Sequence, residues 1–256
     1  MKSEREIRND IVSVCHMMWQ KGFVAATDGN VSVRTGKDRI LCTPSGLSKG
    51  LVQARDLVVT DMSGKKLTGE KDVTSEILLH LEVYRRRDDV AAVVHAHPPM
   101  ATAFSIAGVS LAQCVIPEVV LTMGAIPTSE YATPSSGEGP SAVSDLITRC
   151  DALILDRHGS LTVGPDVFSA YLKLEKVEHC AQVTLAARQL GKVRTLSPEQ
   201  VNKLVALRRD MGIGGKTIEC NNCGICTIEE GEKGQSDLIE KLVAEAIQSI
   251  GLEKKE

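Results

Sequence analysis

Two apolar runs, each leading into histidine, set the terms on which this chain can fold. Val93-Val94-His95-Ala96-His97 carries its histidines at i and i+2, and Ala152-Leu153-Ile154-Leu155 leads to Arg157-His158-Gly159. In a β-strand, residues two apart share a face, so His95 and His97 present both imidazoles to the same side of a sheet. His158 reads as a residue at the end of a second strand. Three neutral imidazoles are a normal half-open ligand set for Zn2+, which keeps one position for a substrate. An H-x-H pair does not by itself require a metal, so the residues around it decide.

The first 210 residues interleave helices with short strands. Ile7, Ile11, Val14 and Met18 recur at helical spacing, and Gly22 can end that helix. Residues 30–34 and 39–43 read as strands around a turn at Gly36, and 57–60 with 66–67 as a hairpin across Asp61-Met-Ser-Gly64. Thr74 or Ser75 is expected to cap a helix running to about 86, with Glu76 in its first turn. A strand at 91–95, a short helix at 98–106, a helix at 138–149 and a strand at 152–156 follow, the last returning at 161–163. Helices at 166–190 and 198–210 complete the pattern. This order, with several tight strand–strand connections, predicts a three-layer α/β/α fold around a mixed, largely antiparallel sheet.

Charge and composition narrow the partners. The 256 residues carry a formal net charge of −3, so no basic face for nucleic acid is advertised. No apolar run approaches the roughly 18 residues that span a bilayer. The charged start Met1-Lys-Ser-Glu-Arg-Glu6 lacks the apolar stretch of a secretory signal, and a cytoplasmic location is expected. Cys15, Cys42, Cys114, Cys150 and Cys180 lie in apolar or helical contexts and read as reduced, mostly buried thiols.

Glu76 precedes the histidine pair by about twenty residues. A carboxylate beside a metal can be a ligand, a general base, or both in turn; an isolated glutamate at a helix start is equally well accounted for by the helix dipole. Three polar segments suit a phosphate. Gly29-Asn30 offers a flexible backbone and an amide, Ser45-Gly46 a hydroxyl and an approachable N–H, and Thr74-Ser75 a helix N-terminus. Each taken singly is an ordinary turn or cap, and no Walker or GxGxxG loop for a nucleotide is present.

Together these segments resemble the class II aldolase/adducin family. The resemblance rests on Thr27-Asp-Gly-Asn-Val-Ser-Val-Arg34, Thr43-Pro-Ser-Gly46, Thr74-Ser-Glu76, Val93-Val-His-Ala-His97, Tyr131-Ala-Thr133 and His158-Gly159, in family order across residues 5–190. It implies a domain at 1–211 that assembles as a four-fold tetramer with active sites at subunit boundaries. His95, His97 and His158 would hold Zn2+. Glu76 would be the fourth ligand of the resting site and the catalytic acid/base. Asn30, Ser45, Gly46, Thr74 and Ser75 would hold the phosphate of a ketose 1-phosphate. The activity so implied is cleavage of L-fuculose 1-phosphate, or a similar ketose 1-phosphate, to dihydroxyacetone phosphate and an aldehyde such as lactaldehyde. Zn2+ as a Lewis acid would stabilise the enediolate, and phosphate contacts would supply positioning energy remote from the breaking bond.

The chain also departs from the family pattern. Fucose-specific members protonate the aldehyde-side oxygen with a tyrosine, whereas Cys114-Val-Ile-Pro-Glu118-Val-Val here has none, which makes Glu118 a candidate substitute acid or a structural residue. The family's C-terminal tyrosine is also missing. Ribulose-phosphate 4-epimerase, methylthioribulose-phosphate dehydratase and sugar-acid phosphate decarboxylase chemistry use much the same metal. Adducin-like members are non-catalytic interaction proteins that have lost metal ligands, whereas all three histidines and Glu76 are retained here.

Composition shifts after Met211. A Gly-rich, Cys-containing linker is expected at 212–236 and an amphipathic helix within 237–256. Cys220, Cys223 and Cys226 have the spacing of metal and iron–sulfur loops, although a fourth cysteine is not nearby. Without a ligand they would form an oxidation-prone linker. Leu238, Ile239, Leu242, Val243, Ala246, Ile247 and Ile250 make one apolar stripe. That helix would pack on its own enzyme, or act as an encapsulation peptide, docking residues 237–251 on a bacterial microcompartment shell protein.

Overall fold

The computed structural model describes residues 2–219. Helix α1 (Glu4–Gln20) opens with a capping box: Ser3 Oγ accepts from the Glu6 N–H, and the Glu6 carboxylate accepts from the Ser3 N–H. Strands β1 (Asn30–Gly36), β2 (Arg39–Cys42), β3 (Val58–Thr60) and β4 (Lys66–Thr68) then run as a meander. Helix α2 (Ile77–Arg86), β5 (Ala92–Ala96), α3 (Pro99–Ile106), α4 (Pro117–Thr122) and α5 (Glu138–Val143) follow. The chain continues through β6 (Ala152–Leu155), β7 (Gly159–Gly164), α6 (Val167–Leu190) and α7 (Pro198–Asp210).

The seven strands lie in the order β4-β3-β2-β1-β5-β7-β6. Every pairing between them is antiparallel. The expected mixed character is confined to isolated bridges, such as the parallel one between Thr128 and Ile154. Both faces of the sheet are covered, as the three-layer reading required. Val31, Val33, Ala92, Val94 and Ala96 pack with Ile11, Val14 and Met18 of α1 and with Ala170 and Leu174 of α6. Val93, Leu153, Leu161 and Val163 face the opposite layer, where Leu81, Val83 and Tyr84 of α2 complete a second core.

This alternation decides where the chemistry sits. Val93 faces the α2 layer, so His95 and His97, two and four residues on, fall on that side as well. The β1–β5 register places Asn30 opposite His95 and Ser32 opposite Val93. One end of the central strands therefore carries Asn30 and both histidines beneath the start of α2.

Two details differ from the expectations. The helix expected at 138–149 ends at Val143, and Leu146–Thr148 forms a separate 3-10 turn. Ser144 and Thr148 hydroxyls bond the carbonyls of Ser141 and Asp145, a local alternative to a continuous ladder. Cys15, Cys42, Cys150 and Cys180 are free and buried, but Cys114 is disulfide-bonded, correcting the expectation of five reduced thiols.

Within the segment expected to begin a linker, Ile218 is buried and bridges Gly124 and Ala125, and the Lys216 N–H donates to buried Asp151, which also pairs with Arg87 and Lys173. Cys220, Cys223, Cys226 and the helix expected within 237–256 lie outside the described residues. No helix among the described residues is long and apolar enough to cross a membrane.

Candidate metal centre and its cleft

His95 is fully buried, and its Nδ1 lies 2.9 Å from the Ser160 carbonyl oxygen. A carbonyl only accepts, so Nδ1 carries the proton and Nε2 keeps its lone pair. That Nε2 lies 3.1 Å from Nε2 of His97. His158 closes the group from the β6–β7 turn, and donor atoms of the three rings all lie within 4.8 Å of one another. Glu76 spans the cluster: Oε2 is 3.3 Å from His95 Nε2 and Oε1 is 3.4 Å from His158 Nε2.

These separations fit a metal. Four ligands on a tetrahedral ion with bonds of about 2.0–2.1 Å stand roughly 3.3 Å apart. Three nitrogens and a carboxylate at such spacings, converging from the end of β5, the β6–β7 turn and the start of α2, are the donor set that Zn2+ and similar divalent cations take. Burial pushes the Glu76 carboxyl up, but the neighbouring His95 ring and hydrogen bonding outweigh it and hold the pKa well below the usual carboxylate range. Burial, reinforced by the neighbouring His95 and His158, brings His97 down to about 4. The cluster thus favours an unprotonated His97 beside an ionised Glu76, the forms that bind a cation.

Glu76 is placed by a helix start that differs from the expected one. Helix α2 begins at Ile77, so Glu76 is its N-cap residue, with φ −102° and ψ 18° and no side-chain cap bond. Its carboxylate turns into the cluster, where Asn30 Nδ2 donates to Oε2 at 2.8 Å. Asn30 Oδ1 is buried without a partner among the described residues. Gly29 permits this approach of loop to strand. Its φ is +71°, and a Cβ there would stand 2.9 Å from the His95 carbonyl oxygen and 2.6 Å from Val24 Cγ1.

Two lobes of one cleft share Ser75, Glu76, Pro134, Ser135 and His158. The polar lobe, about 580 Å3, is lined by Asn30, Ser45, Gly46, Thr74 and Ser75, so all five residues expected around a phosphate meet in one place. The second lobe is largely apolar, with Leu78, Leu79, Ala132, Pro140 and Leu155 among its walls. Glu118 lines neither lobe; it is exposed in the first turn of α4. Three lining residues were not among the expected site residues. Asp28 Oδ2 lies 3.4 Å from His97 Nδ1, Lys49 is buried under the polar lobe, and Ser135 joins both lobes. Asp28 was visible inside the Thr27–Arg34 motif, whereas the other two are brought in by long-range folding.

Known proteins resemble this chain in sequence and fold. Residues 9–185 match the family described as Class II Aldolase and Adducin N-terminal domain. An L-fuculose phosphate aldolase of Methanococcus maripaludis is 34% identical over 181 residues, 71% of this chain and 97% of that protein. A 3-oxo-tetronate 4-phosphate decarboxylase of Pectobacterium atrosepticum is 27% identical over 210 residues, 80% of this chain and 94% of that protein. A solved L-fuculose 1-phosphate aldolase superposes with a TM-score of 0.74 at 26% identity, covering 82% of this chain and 98% of that one. With a family match over most of its length, the chain belongs to the class II aldolase/adducin family.

Proposed function

We propose that the protein is a zinc-dependent aldolase cleaving L-fuculose 1-phosphate, or a similar ketose 1-phosphate, to dihydroxyacetone phosphate and an aldehyde such as lactaldehyde. The observation that carries this reading is the Glu76 carboxylate, held between His95 and His158 where a polar lobe meets an apolar one. His95, His97, His158 and, in the resting site, Glu76 would hold the ion. When bound, zinc supplies positive charge that offsets the negative charge developing on the ketose oxygens as C3–C4 breaks.

The chain's own groups do the rest. Hydroxyls and N–H groups of Ser45, Gly46, Thr74 and Ser75, with the Asn30 amide, grip the phosphate and fix C3 over the histidines. Glu76 makes way for the ketose oxygens; its carboxylate, kept ionised by its low proton affinity, takes the proton that the C4 hydroxyl loses as C3–C4 breaks and returns it to C3 of the dihydroxyacetone phosphate half. The apolar walls at Leu78, Leu79 and Leu155 suit an aldehyde ending in a methyl group and exclude water beside it.

The decarboxylase relative favours a second reading, in which the same residues serve loss of CO2 from a sugar-acid phosphate. Zinc-loaded protein is assayed with fuculose, rhamnulose and ribulose 1-phosphates and with a 3-oxo-tetronate 4-phosphate. Release of dihydroxyacetone phosphate, abolished in His95→Ala, is the expected result. Release of CO2 alone supports the second reading, and full activity in His95→Ala refutes both.

The proposal extends to assembly. A homotetramer is expected by sedimentation, and residues 237–251 would dock on a microcompartment shell protein. Deleting 237–256, which leaves Ile218 and Cys220, Cys223 and Cys226 in place, should abolish co-localisation with shell proteins and retain aldol cleavage.

A further inference from the structure

Lys49 is an ammonium buried where a charge needs a partner. It is only 1% exposed, and it forms no ion pair among the described residues. Its Nζ donates to the carbonyl oxygens of Thr27 at 2.7 Å and Leu47 at 2.8 Å. An ammonium has three N–H groups, so one donor remains. The residue lines the polar lobe, where it is the only lysine or arginine among the described residues, while Asp28 and Glu76 bring negative charge. Burial lowers its pKa, with Cys15, Asp28 and Glu76 opposing that shift.

A dianionic group entering a lobe that already holds two carboxylates is repelled unless a cation answers it. Hydroxyls and backbone N–H groups orient an anion but carry no net charge. We infer that Lys49 supplies the cationic contact to the phosphate and so sets the preference for phosphorylated over unphosphorylated ketoses. Its two carbonyl bonds also tie the loop before Asn30 to the loop bearing Ser45 and Gly46. The phosphate would thus be met by a charge whose side chain is already ordered, which lowers the entropy lost on binding. This inference rests on the sugar-phosphate reading of the cleft.

The test titrates zinc-loaded wild type, Lys49→Met and Lys49→Gln with inorganic phosphate by calorimetry. Trp19, the chain's only tryptophan, packs against Gly50 and gives a fluorescence readout of the same loop. Loss of a charge-assisted contact should weaken phosphate binding about ten-fold or more in both variants. The kcat/KM ratio of a phosphorylated ketose to its unphosphorylated analogue should fall by a similar factor, mainly through KM. Equal losses on both substrates would reduce Lys49 to a structural tie and overturn the proposal. Phosphate affinity within about two-fold of wild type in a folded variant would overturn it too.

A measurement without substitution guards against misfolding. The Lys49 15Nζ resonance of the wild type should move on adding phosphate, and a signal that stays put refutes the contact. Phosphate binding through Lys49 with no ketose cleavage would remove the aldolase reading alone. Cleavage with unchanged phosphate affinity in both variants would remove only the role of Lys49.

Discussion

Gly159→Ala tests whether sheet register sets the metal centre. Gly159 is the residue after His158 and the first of β7, opposite Leu155 of β6. A Cβ there would stand 2.2 Å from the Ala96 carbonyl oxygen and 2.8 Å from His97 Cδ2. Ordinary contact needs about 1 Å more, and the nearer obstacle is backbone rather than a side chain that can swing away. The start of β7 must therefore retreat from β5 by roughly that amount. Overpacking of this kind costs about 1–3 kcal/mol of stability. The same retreat carries His158 away from His95 and His97, which belong to the other strand. Catalytic and ligand groups tolerate only about 0.5 Å of misplacement, so a shift of about 1 Å stretches one metal bond to near uselessness.

The expected result is a lower Tm of the metal-free protein together with zinc affinity reduced at least about ten-fold. Chelator competition measures the second quantity on folded protein. A destabilised variant that keeps wild-type zinc affinity would show that the site adjusts independently of the sheet, and the argument from register would fail.

Three further outcomes are expected. Glu76→Gln should lower kcat for ketose cleavage by about 10^2–10^4-fold while the three histidines still load metal; unchanged kcat would remove Glu76 as proton carrier. Asp28→Asn should weaken zinc about ten-fold, because a carboxylate beside Nδ1 of His97 orients the ring and raises its basicity, and equal metal affinity by competition would count against that contact. Burial, helped by His95, holds the His80 imidazole down to about 3 from an ordinary 6.5. Above pH 6.5 neither the folded nor the unfolded state protonates it, whereas below that only the unfolded state gains the proton. Stability should therefore fall as pH falls from 6.5 towards 3, by about 2 kcal/mol per such group between pH 7 and 5. Urea melts of the metal-free protein should show that much less loss in His80→Gln; parallel pH dependences would refute it.

How much of this was legible depended on the range of the interaction. The i, i+2 spacing of His95 and His97 specifies a shared strand face, and the described structure puts both rings in one cluster. Glu76 was less legible, because a glutamate at a helix start satisfies the dipole rule whether it caps or turns away. Its actual direction is set by His95, His158 and Asn30, distant in the chain. Helix α4 escaped notice because Val119 and Val120 favour strands by propensity, while Pro117 at its start supplies the turn that tertiary contacts complete. Lys49 carried no pattern, since its significance is burial beneath two loops.

Backbone strain points to the same cleft by an independent route. Among the described residues, three non-glycine residues have φ in the left-handed region: Ala26 at 44°, Ser135 at 59° and Arg157 at 56°. Each costs on the order of 1–2 kcal/mol that a glycine would largely avoid. Ala26 immediately precedes the lining residues Thr27–Asn30, Ser135 belongs to both lobes, and Arg157 immediately precedes His158. Strain scattered by chance would not gather on three separate loops around one cavity. Arg157 also shows what holds it, since its N–H donates to the Ser105 hydroxyl of α3. The β6–β7 turn is therefore fastened in the conformation that aims His158 inward, so the third of the proposed ligands depends on a helix that would contribute none of its own.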